Sequence, residues 1–349
     1  MMRFKSILTL LFPILMAGSL SSQDIHFSQF YMSPLNLNPA MTGVMNCNTR
    51  LVANYRNQWA AVLQSDAYNT YSVSYDQKIP VGRSDYFGIG GSFFGDKAGS
   101  TRFGTIMGRL SVGYSKKMGG YRKKAHYLSI GADVGLGQRS LDQNALRWGS
   151  QHDGQGGFSG DPTQAGTIGN PDFLFADISA GILWFSTIDA NNNFYGGLTM
   201  AHLNSPNVSF QNNNFVELYS RFTAHGGGMV EVARGISIIP NFIAMFQGNH
   251  REFNLGAAVR FALGSSRIVR QSWQGGLWYR LGTKEDGGVH SDAIIFTTRF
   301  DYETYGIGFS YDYNVSKLQD GGNFNGAFEF SLVYYICGSE KRSVYCPRF

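Results

Sequence analysis

Charge is scarce in this chain. Asp, Glu, Lys and Arg together make up 15% of its 349 residues, where about a quarter is usual for a soluble globular protein. The net charge is only +5, and no helical stripe of basic residues with interleaved aromatics occurs, which argues against a nucleic-acid partner. Long apolar runs are missing too. Only Ile7–Met16 is apolar over any length, and it is too short to cross about 30 Å of hydrocarbon and is interrupted by Pro13. No segment reads as a transmembrane helix. Cysteine is limited to Cys47, Cys337 and Cys346, none with a histidine at ligand spacing, so no metal or other cofactor is expected. An odd count leaves at least one free thiol in a monomer. Cys337 and Cys346 bracket a short tail and could pair, while Cys47 pairing with either is equally allowed. Catalytic signatures are lacking. The seven histidines are scattered, with no HExxH and no recognisable nucleophile–base pair. Gly154, Gly156 and Gly157 sit in a loop with no following helix, so they are no phosphate cradle. The expectation is a protein that is not an enzyme.

What the chain does have is alternation. In Tyr305–Asn314, Tyr305, Ile307, Phe309, Tyr311 and Tyr313 alternate with Gly306, Gly308, Ser310, Asp312 and Asn314. In Ala327–Ile336, Phe328, Phe330, Leu332, Tyr334 and Ile336 oppose Glu329, Ser331, Val333 and Tyr335. Period-two patterning of this length marks strands with two different surroundings. A soluble sandwich would carry charge on its outward face. Large aromatics on one face and glycine or serine on the other suit lipid outside and a packed, wet lumen inside. The 44 glycines fit strands that bend and a lumen that packs.

The pattern recurs over 50–62, 67–79, 86–96, 102–117, 125–139, 173–188, 193–203, 217–232, 235–248, 251–263, 271–283, 292–301, 303–314 and 326–337. The expected fold is all-β, a transmembrane antiparallel barrel of about fourteen strands with an N-terminal plug-like segment. Asp76, Arg109, Asp133, Arg260, Arg280, Arg299, Asp312 and Glu329 fall on lumen faces, where charges away from water must pair. Connectors after odd strands are mostly long, among them Ser140–Asp172, Asn204–Val216 and Val315–Asn325. Those after even strands are mostly short, as in barrels with long outer loops and short periplasmic turns. Trp148, Phe158 and Phe324 are the aromatic candidates for partner binding in the outer loops. The short-turn side collects Lys116, Lys117, Arg122, Lys123, Lys124, Arg267 and Arg270, either a face for an acidic periplasmic partner or a basic rim against lipid phosphates.

The ends complete the plan. Arg3 and Lys5, the apolar Ile7–Met16 and a run of small residues through Ser22 read as a secretory signal peptide over residues 1–22, without a cysteine for lipidation. Residues 23–49 form a plug or periplasmic segment. It is too apolar for a loose leader, and Phe27, Phe30, Tyr31, Leu35, Leu37 and Pro39 are its candidate packing residues. The barrel spans 50–337, and 338–349 make a periplasmic tail.

The segment Asp24–Gly43 (DIHFSQFYMSPLNLNPAMTG) resembles the N-terminal signature of the PorP/SprF family of the type IX secretion system in Bacteroidetes. Tyr55–Trp59 (YRNQW), Ser74–Asp76 (SYD), Leu277–Arg280 (LWYR), Tyr311–Leu318 (YDYNVSKL), Phe328–Phe330 (FEF) and the closing Cys346–Phe349 (CPRF) resemble it as well. Ala327 stands where that pattern leads one to expect a histidine. The resemblance implies an outer-membrane barrel of the export and gliding machinery. Its implied partners are a secreted surface protein bearing a type B C-terminal sorting domain and periplasmic type IX components. The barrel reading by itself also allows a pore or a hydrophobic-solute transporter.

Overall fold

The computed structural model describes residues 24–120, 124–148, 151–153, 155, 157, 168–189, 191–211, 214–263, 271–283, 288–316, 326–338 and 346. Fourteen antiparallel strands close into one barrel. In chain order they are β1 Thr49–Gln58, β2 Tyr68–Val81, β3 Asp85–Ala98, β4 Phe103–Gly119, β5 Ala125–Ser140, β6 Asp172–Thr187 and β7 Asn193–Ala201. Then follow β8 Arg221–Ala233, β9 Ile236–Gln247, β10 His250–Leu263, β11 Gln271–Thr283, β12 Val289–Tyr302, β13 Tyr305–Asn314 and β14 Ala327–Ile336. Each strand pairs with its sequence neighbours, and β1 meets β14 from Thr49↔Ile336 to Gln58↔Ala327. Every strand is long enough to cross a bilayer when tilted.

Burial is inverted relative to a water-soluble protein. Leu110, Leu136 and Leu174 are more than 70% exposed, whereas Ser72, Asp76, Ser129, Asp133 and Glu329 are buried. An outward apolar surface around a polar interior is stable only if hydrocarbon bathes the outside. Ile307, Phe330 and Leu332 are exposed on the outer face, with Phe309 and Tyr311 half-buried beside them. All eight charged residues expected in the lumen are buried or half-buried there.

The strand ends differ from expectation where the backbone turns left-handed. β1 stops at Gln58, short of residue 62, because Trp59 has φ +62° and opens a single helical turn, Ala60–Leu63. β7 stops at Ala201, where His202 has φ +56°. β8 starts at Arg221 because Glu217 bridges only to Asn207. Short turns at Gly82–Ser84, Arg234–Gly235 and Glu303–Thr304 share one end of the barrel. The long connectors 141–171 and 202–220 share the other, although Gly99–Arg102 and Gly248–Asn249 are short there too.

Inside runs Asp24–Asn48. It has no strand and only three brief helical turns, Phe30–Met32, Pro34–Leu37 and Pro39–Met41. Pro34 and Pro39 each begin a turn, where a missing N–H costs nothing. The Asn38 side chain caps the third turn by accepting from the Ala40 N–H at 2.8 Å. The segment starts near the long-connector end and leaves at the short-turn end, directly into β1.

Candidate functional site

The filled lumen is where this chain places its buried chemistry. Three ionic clusters hold the segment, each at a different depth. Near the long-connector end, Asp24 meets His202 and lies 3.1 Å from Arg221. His202 passes its other ring nitrogen to Asp177 at 2.7 Å, and Asp177 pairs with Arg109 at 2.9 Å. Burial alone would push the Asp24 carboxyl up, but the charges of His202 and Arg221 override it and hold it well below the carboxylate range. Burial would lower His202, and the carboxylates of Asp24 and Asp177 raise it instead. At mid-depth, Ser28 donates its N–H to Glu329 at 2.7 Å and its hydroxyl to Asp312 at 2.7 Å. The Gln29 N–H donates to Glu329 at 3.1 Å. Arg56 and Arg280 each lie 2.9 Å from Asp312. Toward the short-turn end, Arg50 forks onto Asp76 at 2.9 and 2.8 Å, and the Gly43 N–H adds a third bond to Asp76 at 2.8 Å. Paired, hydrogen-bonded charges are the one inexpensive way to bury them.

Backbone fits against backbone between these clusters. Gly88, Gly113, Gly131 and Gly181 are register partners across β3, β4, β5 and β6, forming one unbroken stripe. The turn Asn38–Gly43 lies on it. A Cβ at Gly88 would stand 2.2 Å from the Thr42 carbonyl oxygen, and one at Gly131 would stand 2.4 Å from that of Pro39. Only glycine permits this approach. Aromatic rings fill the rest: Tyr31 stacks on Trp278 at 5.5 Å and Tyr127 on Phe185 at 5.0 Å. Burial pushes the Tyr31 hydroxyl up to about 12.

Phe27, Phe30, Tyr31, Leu35, Leu37 and Pro39 are all buried within the barrel. The thiols correct the pairing considered for Cys337 and Cys346. Cys47 bonds Cys337. The reason is the seam: Thr49 pairs with Ile336, which brings the residues just outside that pair together, with Cα atoms 4.3 Å apart. Cys346 is the free thiol, buried, with its N–H donating to Asn46 at 2.6 Å. Burial raises it. Lys116 and Lys124 are exposed at the short-turn end, and the Lys117 N–H donates to Asp85 at 2.9 Å. Arg122, Lys123, Arg267 and Arg270 lie outside the described residues, as do Phe158 and Phe324. Trp148 is half-buried in the connector between β5 and β6, its N–H bonded to Gln151 at 2.9 Å. Sequence reasoning missed Arg50, Arg56, Asp177, His202 and Arg221. Only Arg56, inside YRNQW, carried a signal.

Comparison with known proteins adds the following. A family model described as type IX secretion system membrane protein PorP/SprF matches residues 19–334. No curated protein sequence matches significantly. Among solved structures, CdiB from Acinetobacter baumannii superposes with a TM-score of 0.43 at 6% identity, over 83% of this chain and 60% of CdiB. This chain therefore spans less than two thirds of that protein. A TodX monoaromatic hydrocarbon channel mutant gives 0.41 at 12% identity, over 85% of this chain and 91% of TodX. The beta domain of the Bordetella autotransporter BrkA gives 0.38 at 11% identity, over 84% of this chain and all of BrkA (100%). No function is carried across at these values. The fold and the family fit the outer membrane. With a family model spanning most of its length, this chain belongs to the PorP/SprF family of type IX secretion system membrane proteins.

Proposed function

We propose that this barrel is a non-enzymatic docking component of the type IX machinery. It binds a secreted surface protein through that protein's type B C-terminal sorting domain and holds it at the outer membrane. The observation that carries the reading is the filled lumen. Among the described residues, a segment pinned by three ionic clusters, seated on a glycine stripe and bonded through Cys47 to the end of β14 occupies the lumen. A family member with an occupied lumen contributes a surface. The long connectors supply it at the outer end, with Trp148, Phe158 and Phe324 as aromatic anchors of the kind that dominate protein interfaces. The short-turn end, with Lys116, Lys117, Arg122, Lys123, Lys124, Arg267 and Arg270, faces acidic periplasmic components or lipid phosphates. Export depends on a signal peptide over residues 1–22.

The test is a deletion strain. General secretion persists, while one or a few surface proteins disappear from intact cells. Replacing Trp148 and Phe158 by Ala reproduces that loss without lowering barrel abundance. An unchanged surface proteome in the deletion strain overturns the docking role, and ion conductance across a planar bilayer then decides for a pore.

A further inference from the structure

The plug does not fill the lumen evenly. Against β8–β12 it leaves a cavity of about 430 Å³ that reaches the short-turn mouth at Glu303, Thr304 and Cys337. The register sorts its wall into tiers. Gln274 is the partner of Arg260 on one side and of Arg299 on the other, so three donors stand in one row. The tier nearer the mouth is Ser272 with Asp301. Asp301 is already engaged, accepting from Arg299 Nε at 2.8 Å and from the Ser272 hydroxyl at 3.1 Å. The deeper tier is small, with Ala258 opposite Gly276, and these residues leave the room above them. Beyond it stand the stacked rings of Tyr31 and Trp278. Trp278 lines the cavity at 1% exposure, and its indole N–H meets no acceptor among the described residues.

We propose that this cavity binds a small amphipathic carboxylate that enters from the periplasmic mouth. Its apolar body lies against Tyr31 and Trp278, and its carboxylate accepts from the row Arg260, Gln274 and Arg299. Guanidinium groups match a planar two-oxygen acceptor. A single charge suits the site better than a dianionic phosphate, because Asp301 and Glu303 stand immediately behind the head group. An apolar pocket with a few convergent donors is the usual form of a small-ligand site. The inference goes beyond the docking role: none of these residues lies in the long connectors.

The experiment uses the full-length protein in lipid nanodiscs, with titration calorimetry of 2-naphthoate against 2-naphthalenemethanol. Naphthoate should saturate at one site, and the alcohol should bind about tenfold more weakly or worse, the worth of a charge-assisted hydrogen bond. Arg260→Gln should weaken naphthoate by a similar factor, with heat-modifiable migration confirming an intact barrel. If that variant does not assemble, Ala258→Leu narrows the cavity without touching a charge and should abolish binding. Equal affinity for acid and alcohol overturns the proposal, as does the absence of saturation up to about 1 mM, an interaction of only ~4 kcal/mol.

Discussion

Adding one methyl group at Gly88 should unseat the plug. The ideal Cβ there stands 2.2 Å from the Thr42 carbonyl oxygen, and ordinary contact begins at 3.4 Å. The turn must therefore retreat by about 1.2 Å, since backbone cannot compress. That retreat stretches the Gly43–Asp76 hydrogen bond from 2.8 Å to beyond bonding distance. Overpacking costs about 1–3 kcal/mol and a lost bond to a carboxylate about 1.5–3 kcal/mol. Taking ~3 kcal/mol for the pair gives roughly a hundredfold change in an opening equilibrium. The assay is hydrogen exchange at Thr42, Gly43 and Val44, whose N–H groups bond Pro39, Asp76 and Met41. Gly88→Ala and Gly131→Ala should each speed exchange by about that factor. Gly108→Ala is the control, because nothing stands within 4 Å of its Cβ. Equal protection in Gly88→Ala and Gly108→Ala would refute the seating of this turn on the glycine stripe.

Other outcomes follow from the same structure. Leu332→Arg and Phe309→Arg place a charge on the lipid face and should cost about 2–4 kcal/mol near the midplane; insertion and heat-modification like the parent would reverse the facing assignment. The contact of Asp24 with His202 depends on pH in two directions. His202 is raised, so its contribution is complete below its ordinary 6.5 and is lost as pH climbs through the raised value. Asp24 is lowered, so its contribution is complete above its ordinary 3.8 and is lost as pH falls through the lowered value. Exchange at residues 24–28, corrected for intrinsic rates, should be slowest between those two ordinary values, and a flat profile would dismiss the pairing. Maleimide labelling of unfolded protein should mark one cysteine without reductant and three with it; peptide mapping that finds the lone label anywhere but Cys346 would contradict the bond.

Much of the barrel was legible because lipid and lumen impose opposite demands on alternate residues. Leu110 and Leu136 facing hydrocarbon, with Ser111 and Gly135 behind them, mark each strand without reference to its neighbours. Strand ends were less legible, because Trp59 and His202 adopt left-handed backbone that their residue types do not announce. The site was hardest to read, since it depends on register. Gly88, Gly113, Gly131 and Gly181 look like ordinary strand glycines until pairing sets them side by side. Arg50 and Asp76 become partners only when β1 lies against β2. The sequence left the disulfide open among the possible pairings for the same reason, since Cys47 and Cys337 are 290 residues apart and meet at the seam.

That bond makes the chain a lasso. Residues 47 to 337 form a covalent ring, and Asp24–Asn46 are its tail, threaded back through it. Pairing of the first and last strands holds the two thiols side by side, so closure of the seam favours this bond over any other pairing of the three cysteines. Before that bond forms, the seam between β1 and β14 is held by hydrogen bonds alone, and an assembly factor can pry it open. Afterwards, parting those strands at the short-turn end requires a reductant. A load drawn on the outer loops can then part the seam no further than this bond, and the first strand stays tethered to the last.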